Sequence, residues 1–530
     1  MCWAILTIAC SGVEADRRCA AQEAEPVPGT GRTAPVESGV PDRVLTPGHR
    51  RMLTALSNVA KRLPQDMPAL DPERPRQLRE RLARLGIDAG NKRRRDLHSE
   101  AAEAEFRLGN FQAAIDEYTK AYKLLPPTSL TTREANQIMF RLGVAYLRLG
   151  EAQNCWVHKN AQNCLLPVEG QGVHTRPESS RLAIRWFLRV LENPCDDGSL
   201  LATVKWLLNI AHMTVGGYPA EVPTEYLVPP SRFAAELEIP RFTNVAPKLG
   251  IDTFSWCGGA IVDDFDNDNF LDIVTSTADT DGQMRFYRNN GDGTFQERTE
   301  QAGLLGLLGG LNMVQADYNN DGFTDILVLR GAWHLAAGRH PNSLLRNNGD
   351  GTFTDVTFDA GLGEVHYPTQ TGTWGDYDLD GDLDLYIGNE TSPELSAPCQ
   401  LFRNNGDGTF TDVASQAGVR NYRYTKGVVW GDFNGDRRPD LYVSNGGSAN
   451  RLYHNNGDGT FTDVAPRLGM TLPERSFACW FWDFDNDGIL DLFVGSYTAR
   501  IGVLASYYLG EPAEFEMPRL YRGDGRTGFT

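Results

Sequence analysis

After Phe242 the chain repeats one pattern of polar and apolar positions five times. Each unit has a stretch of alternating aspartates, then a short apolar run, and then a turn that reads NNGDGTF in its regular copies. The acidic stretches begin at Asp264, Asp317, Asp376, Asp432 and Asp483, so the period is 53, 59, 56 and 51 residues. A period near ~50 residues is typical of a propeller or another array of small sheets.

One unit resolves into four short strands. In the third copy the pattern predicts strands over Gln370–Gly375, Leu383–Gly388, Gln400–Asn404 and Thr409–Val413. The Asn-Gly and Asp-Gly steps between the last two strands supply the positive φ angles that tight hairpin turns require. Four antiparallel strands in ~50 residues predict one blade of a β-propeller.

The two ends of the array follow the same pattern. Phe242–Ile251 (FTNVAPKLGI) matches the fourth-strand segment Phe461–Met470 (FTDVAPRLGM), which predicts an unpaired outer strand at the start. Residue 530 falls where a further fourth strand has barely begun. We therefore expect a propeller that is truncated at the C-terminus, with five acidic-loop blades in view.

Each acidic stretch places side-chain oxygens at its positions 1, 3, 5 and 9. These residues are Asp264, Asp266, Asp268, Asp272; Asp317, Asn319, Asp321, Asp325; Asp376, Asp378, Asp380, Asp384; Asp432, Asn434, Asp436, Asp440; and Asp483, Asp485, Asp487, Asp491. Carboxylates this close repel each other unless a hard cation lies among them, and Ca²⁺ takes about 6–8 oxygens in a flexible shell. The alternative, that Asp-rich turns only solubilise hairpins, explains one copy but not five in register. The pattern predicts several Ca²⁺ ions per chain.

The five copies differ in ways that predict different affinities. Position 6, where the chain must turn sharply, is glycine in copies two, three and five. Copies two and four lose one charge to asparagine, and copy four adds Arg437 and Arg438 beside the ion. Copies three and five are the strongest predicted sites, and copy four is the weakest.

The segments GDFNGD and WDFDNDG before DLYV and DLFV, combined with NNGDGTFTDV, resemble the FG-GAP/VCBS repeats of integrin-α-like β-propellers. Over about Phe242–Thr530 the chain is similar to the ASPIC/UnbV (cartilage acidic protein-like) family. The resemblance implies an extracellular or periplasmic seven-bladed propeller whose loops hold structural Ca²⁺, with an ASPIC/UnbV module after it.

The first half of the chain is predicted to be helical. Residues 96–127 (DLHSEAAEAEFRLGNFQAAIDEYTKAYKLLPP) resemble a tetratricopeptide repeat, and a second copy has its partner helix at Glu178–Glu192 after an insertion. Such repeats bind partner peptides in a concave groove, although two or three copies also serve as a packing platform.

The insertion, residues 154–177, contains Cys155, His158, Cys164 and His174. Two cysteines and two histidines are able to hold Zn²⁺ or a copper ion. In an oxidising compartment the cysteines alternatively form a Cys155–Cys164 disulfide, which we favour because the spacing matches no zinc-finger pattern.

These observations predict a division of the chain into six parts. They are a possible signal peptide at 1–21, a Pro/Gly/Glu-rich linker at 22–48, a basic helical segment at 49–95, tetratricopeptide-like repeats at 96–220, a linker at 221–241, and an incomplete FG-GAP/VCBS propeller at 242–530. The apolar run Trp3–Ala9 predicts export, and Ile8-Ala9-Cys10 is distantly similar to a lipoprotein cleavage site.

Net charge and sequence motifs limit the classes of function that fit this chain. The 530-residue chain has a net charge of −18, and residues 242–530 hold 20 basic against 41 acidic side chains, so a nucleic-acid role is excluded by repulsion. No apolar run reaches the ~18 residues of a membrane span, and H-E-x-x-H, G-x-S-x-G and P-loop signatures are absent. We predict an exported calcium-binding scaffold for a protein or glycan ligand and not an enzyme. The alternative is an exported metalloenzyme or redox protein with a transition metal in the insertion.

Overall fold

The computed structural model describes residues 45–67, 71–86, 89–157, 162, 165–234, 242–253, 255–497, 501–512, 515–526 and 528–529. They belong to two units. The first unit contains the described parts of Met67–Asn244 and Thr498–Phe515, and the second contains those of Val27–Asp66, Val245–Tyr497 and Glu516–Thr530. The predicted signal peptide and most of the predicted linker 22–48 lie outside the described residues.

The helices of the described chain are numbered in order. They are α1 (Pro47–Asp66), α2 (Arg74–Ala83), α3 (Asn91–Arg107), α4 (Phe111–Lys123), α5 (Arg133–Asn154), α6 (Glu178–Glu192), α7 (Gly198–Thr214), α8 (Ala246–Leu249), α9 (Ala465–Leu468) and α10 (Ile501–Leu509). Short 3-10 helices occur at Pro127–Ser129, Gly170–Gly172, Thr224–Tyr226, Pro230–Phe233 and Leu335–Gly338. None of these helices combines the length and the apolar character needed to cross a bilayer.

The first unit is built from α2 to α7, which lie in the region predicted to be helical, together with α10, which was not predicted. Each helix from α2 to α6 packs on the next one in sequence, and α10 packs on α7. Gly143 lets α5 and α6 approach closely, since a Cβ atom there would lie 2.5 Å from the Phe187 ring. Trp206 of α7 contacts Tyr508 of α10 with ring centroids 4.9 Å apart. The helix α6 has the bounds that the apolar pattern predicts.

The second unit contains five antiparallel sheets in chain order. Their strands are β1 (Ala260–Asp263), β2 (Asp272–Thr275), β3 (Arg285–Asn289) and β4 (Phe295–Glu297); β5 (Asn312–Ala316), β6 (Asp325–Leu329), β7 (Ser343–Asn347) and β8 (Phe353–Asp355); β9 (Thr369–Gly375), β10 (Asp384–Asn389), β11 (Gln400–Asn404) and β12 (Phe410–Asp412); β13 (Thr425–Gly431), β14 (Asp440–Asn445), β15 (Arg451–Asn455) and β16 (Phe461–Asp463); and β17 (Ser476–Trp482), β18 (Asp491–Ser496) and β19 (Arg519–Tyr521). We call them sheets 1 to 5. Strands pair with their neighbours in sequence, so each sheet is a meander.

Successive sheets are joined by a repeated set of contacts. In sheets 2, 3 and 4 the last asparagine of the third strand donates a hydrogen bond to a main-chain oxygen of the preceding sheet's acidic loop: Asn347 Nδ2 to Phe265 O (2.7 Å), Asn404 Nδ2 to Tyr318 O (2.9 Å) and Asn455 Nδ2 to Tyr377 O (2.8 Å). Trp430 of sheet 4 stacks on Tyr377 of sheet 3 with planes 12° apart. The first strands of successive sheets also contact each other.

The helix α1 packs within the sheet unit. Met52 and Leu56 are buried in one core with Ile261 of sheet 1 and Phe353 of sheet 2. His49 Nδ1 accepts a hydrogen bond from the main-chain N–H of Asp355 at 3.1 Å. This apolar face of α1 is therefore a part of the sheet core.

The predicted outer strand at the start of the array differs from the structure. Phe242–Asn244 lies in no strand and Phe242 is 97% exposed, whereas the following residues form α8, as Ala465–Leu468 form α9. A strand exists only with a hydrogen-bonding neighbour strand, and no strand of the described chain is paired with this segment. The helix α8 forms because the hydrogen bonds of a helix are local and need no neighbouring strand.

Candidate metal centres

Each acidic stretch joins the first and second strands of its sheet. We name them loops 1 to 5: Asp264–Asp272, Asp317–Asp325, Asp376–Asp384, Asp432–Asp440 and Asp483–Asp491. Positions 4 and 6 have left-handed backbone in every loop, with φ of 56° to 76° at position 4 and 68° to 95° at position 6. The turn is the same where position 6 is Asn269 or Arg437 instead of glycine. The left-handed position 4, which includes Leu379, was not predicted.

The aspartate at position 1 organises this turn. Its two carboxylate oxygens accept the main-chain N–H groups of positions 5 and 6 at 2.7–3.1 Å in all five loops. The aspartate at position 5 accepts the N–H of position 7 at 2.9–3.0 Å. Each loop is thus wound around its own carboxylates.

The aspartate at position 9 starts the second strand and is almost completely buried in all five sheets. One carboxylate oxygen accepts the N–H of position 2 at 2.9–3.3 Å. The other accepts an N–H from the third strand or, in sheet 5, from Gly523 two residues after that strand, at 2.7–2.9 Å. Burial raises the pKa of Asp272 to about 6, of Asp325 to about 8, of Asp384 to about 7 and of Asp440 to about 6.

The carboxylates converge in three of the loops. Ligand oxygens of positions 1, 3 and 9 lie within 4.8 Å of one another in loop 1 (Asp264, Asp266, Asp272), loop 3 (Asp376, Asp378, Asp384) and loop 5 (Asp483, Asp485, Asp491). Loops 2 and 4 keep the same backbone but place an asparagine amide, Asn319 or Asn434, at position 3. The position-5 carboxylates, which were also predicted as ligands, are not members of these three groups, and each accepts the N–H of position 7.

This donor set fits a hard divalent cation. All of the ligands are oxygens, which Ca²⁺ and Mg²⁺ prefer to nitrogen or sulfur. In loop 1, Asp266 Oδ1 is buried and has no hydrogen-bond partner among the described residues. A buried carboxylate oxygen without a hydrogen-bond partner is costly, and a bound cation would remove that cost.

Basic side chains lie at several loops, and the sequence-based prediction missed most of them. Arg288 contacts Asp266 and Asp268 of loop 1, and Arg522 contacts Asp485 and Asp487 of loop 5. In loop 4, Arg438 Nη2 lies 2.6 Å from Asp436 Oδ2, and His454 Nδ1 lies 3.0 Å from Asp440 Oδ1. The sequence feature that could have revealed these contacts is a basic residue at the corresponding position of every repeat, in the third strand or directly after it.

The insertion brings two of its four predicted residues together. Cys155 Sγ lies 3.4 Å from His174 Nε2, and His174 Nδ1 lies 3.1 Å from Ser180 Oγ. Burial lowers the pKa of His174 to about 4, so its imidazole is neutral at physiological pH. His158 and Cys164 lie outside the described residues.

Comparisons with known proteins place these features in a family. The FG-GAP-like repeat matches residues 241–328, 334–387, 391–443 and 432–494. Cartilage acidic protein 1 of Homo sapiens is 27% identical over 249 residues, which cover 44% of this chain and 35% of that protein. The Xenopus tropicalis protein of the same name is 36% identical over 122 residues, or 22% of this chain and 18% of that protein. The chain thus spans about a third or less of these relatives.

Proposed function

From the premise that this chain is an FG-GAP repeat protein related to cartilage acidic protein 1, we propose that it is an interaction scaffold whose acidic loops bind structural Ca²⁺. The observation that carries the proposal is the buried aspartate at position 9, which recurs in all five sheets and in loops 1, 3 and 5 lies with the carboxylates of positions 1 and 3. A buried carboxylate is costly unless an opposite charge lies beside it, so a cation in each loop accounts for the presence of these aspartates.

The residues at positions 1, 3, 5 and 9 would hold the ion in each loop. Ca²⁺ would supply positive charge to a set of three or four carboxylates, and its flexible oxygen shell suits loops that offer both carboxylates and amides. Hydrogen bonds within the chain fix the shape of the loop. Position 1 holds the turn closed, and position 9 connects that turn to the third strand. The ion therefore stabilises the start of the second strand in every sheet.

We also propose how the sheets assemble, what the protein binds and where it is located. Five sheets whose first strands contact each other in sequence support a β-propeller of the FG-GAP kind, and the paired helices α3 and α4 support a tetratricopeptide-like repeat that binds a peptide. We expect a protein or glycan ligand for the scaffold, and an extracellular or periplasmic location, with lipoprotein anchoring as one form of export. Repeated calcium sites suit a compartment with about millimolar Ca²⁺.

The test is elemental analysis of the purified chain together with thermal unfolding, each with Ca²⁺ and in excess EGTA. We expect several calcium ions per chain and a lower Tm in EGTA, because a ligand that binds only the folded state stabilises it. Asp384→Asn should remove one ion. Asp407→Asn, which removes an equal charge from an exposed turn of the same sheet, should remove none. An unchanged melting curve in EGTA and calcium-free protein would contradict the proposal.

A second candidate function rests on the contact between Cys155 and His174. A neutral imidazole whose other nitrogen contacts a hydroxyl is the arrangement that many metal-ligating histidines have. This candidate is a metalloenzyme or redox protein with zinc or copper at the insertion. The same elemental analysis tests it: one equivalent of transition metal that survives EGTA and is lost in Cys155→Ser would support it.

A further inference from the structure

One position of the repeat is basic in all five copies: it is the fourth residue of the third strand in sheets 1 to 4 and the residue just after β19 in sheet 5. The residues are Arg288, Arg346, Arg403, His454 and Arg522. This strand pairs with the second strand, which begins at the buried aspartate of the loop. The position therefore brings a basic side chain near each proposed calcium loop.

In loops 1 and 5 the arginine is bound to the carboxylates. Arg288 Nε lies 2.5 Å from Asp266 Oδ2, and its Nη2 lies 2.6 Å from Asp268 Oδ2. Arg522 Nη2 lies 2.7 Å from Asp485 Oδ2 and 3.0 Å from Asp487 Oδ2. These are the position-3 and position-5 residues, which are proposed ligands of the ion.

In loop 3 the corresponding arginine, Arg403, acts on Asp378 only through its charge and forms no ion pair with a described residue. Arg403 is exposed, and among the described residues it has no carboxylate oxygen within ion-pair distance. Loops 1, 3 and 5 carry the same four aspartates at positions 1, 3, 5 and 9. The arginine contact therefore distinguishes loops with an equal set of ligands.

We propose that Arg288 and Arg522 are internal counter-ions that compete with Ca²⁺, so that loops 1 and 5 bind calcium more weakly than loop 3. The inference rests on the proposed function, since it concerns how the same loops are regulated. A guanidinium that donates charge-assisted hydrogen bonds to two carboxylates must leave them before those oxygens bind an ion. A displaced guanidinium that stays near the loop also repels the divalent ion.

The consequence is a graded response to calcium. Loop 3 fills first, and loops 1 and 5 fill only at higher calcium concentration, while arginine neutralises part of their charge when the ion is absent. The sequence ranks loops 3 and 5 as equally strong calcium sites, whereas this proposal makes loop 5 the weaker of the two. Among the three loops that carry four aspartates, the two in the end sheets of the described array thus respond at the higher calcium concentration.

The experiment is calorimetric calcium titration of the full chain carrying Arg288→Gln, with Arg403→Gln as the matched control. Glutamine keeps a polar side chain and removes the charge. We expect Arg288→Gln to tighten binding at one class of site by roughly tenfold, and Arg403→Gln by less than about threefold, because Arg403 is exposed, makes no ion pair with a described residue and has its charge screened by solvent.

Two further variants test whether the effect arises from the charge of Arg288 and whether it acts at loop 1. Arg288→Lys keeps the charge and should bind calcium within about threefold of the unsubstituted chain. In Asp264→Asn, whose loop 1 is disabled, adding Arg288→Gln should have no effect. Equal titrations of Arg288→Gln and Arg403→Gln, with calcium still bound, would overturn the competition and leave the proposed function standing. Absence of calcium binding in every variant would overturn both.

Discussion

Asp325 illustrates how a single residue sets the properties of a loop. It is buried at the start of β6, where its carboxylate accepts the N–H groups of Tyr318 and Asn347. Burial raises its pKa to about 8, because the two hydrogen bonds do not offset the loss of water. The carboxylate that holds the loop in place is thus also the group that most needs a cation.

This burial predicts a pH dependence in the absence of calcium. A carboxyl whose pKa is raised on folding binds its proton more tightly in the folded state, so stability is highest at low pH and falls as pH rises towards the folded pKa. In excess EGTA we expect Tm to fall between about pH 4 and pH 8, the range set by Asp272, Asp325, Asp384 and Asp440. Calcium should suppress this fall, because the ion takes the place of the proton.

Thermal unfolding at several pH values, with Ca²⁺ or EGTA, measures this dependence. Asp325→Asn should flatten the decline in EGTA, since a neutral amide has no charge to desolvate. Asp407→Asn, at an exposed turn, should leave it unchanged. A stabilisation by calcium that is the same at pH 5 and pH 8 would contradict the assignment of these carboxylates.

At the scale of elements, the repeated asparagine of the third strand predicts how the sheets are held together. Asn404 Nδ2 donates to Tyr318 O of sheet 2 and to Leu383 O of its own sheet, and Asn404 Oδ1 accepts the N–H of Gly406. Asn404→Ala would leave buried main-chain oxygens unpaired. We expect it to lower the free energy of unfolding by about 2–3 kcal/mol in urea denaturation.

The neighbouring Asn405 provides the control for this change. It is exposed and bonds within its own turn to Thr409 and Thr411. Asn405→Ala should cost less than about 1 kcal/mol, as surface substitutions do. If the two variants were equally stable, the contact between sheets 2 and 3 would contribute nothing and the prediction would be wrong.

The elements also show which features a sequence predicts and which it does not. Strands of the third repeat were predicted to within one residue at each start, because alternation and Asn-Gly turns act locally. The loops were found because aspartate spacing is itself local. The place of α1 in the sheet core was missed, since Met52 and Leu56 look like any amphipathic helix until their distant partners are known. The Arg288 contact was missed for the same reason.

At the scale of the whole molecule, each unit contains a helix from an unexpected part of the sequence. The helix α1 precedes the helical unit along the chain but belongs to the sheet unit, and α10 lies between β18 and β19 but belongs to the helical unit. A single cut in the chain therefore does not separate the two units. A fragment that starts at Val245 would lack the buried side chains that α1 contributes.

This arrangement predicts which unfolding transition responds to a substitution in α1. Leu56 is buried in the core of sheets 1 and 2, so Leu56→Ala should destabilise the sheet unit by about 2–4 kcal/mol. The transition it lowers should be the one that EGTA also lowers, because both changes act on the sheets.

Thr54→Ala, on the exposed face of α1, should leave that transition within about 0.5 kcal/mol. Phe187→Leu, in the core between α5 and α6, should lower a transition that EGTA leaves in place. Calorimetric scans of the full chain with Ca²⁺ and with EGTA distinguish these outcomes, and a calcium-insensitive loss in Leu56→Ala would show that α1 stabilises something other than the sheets.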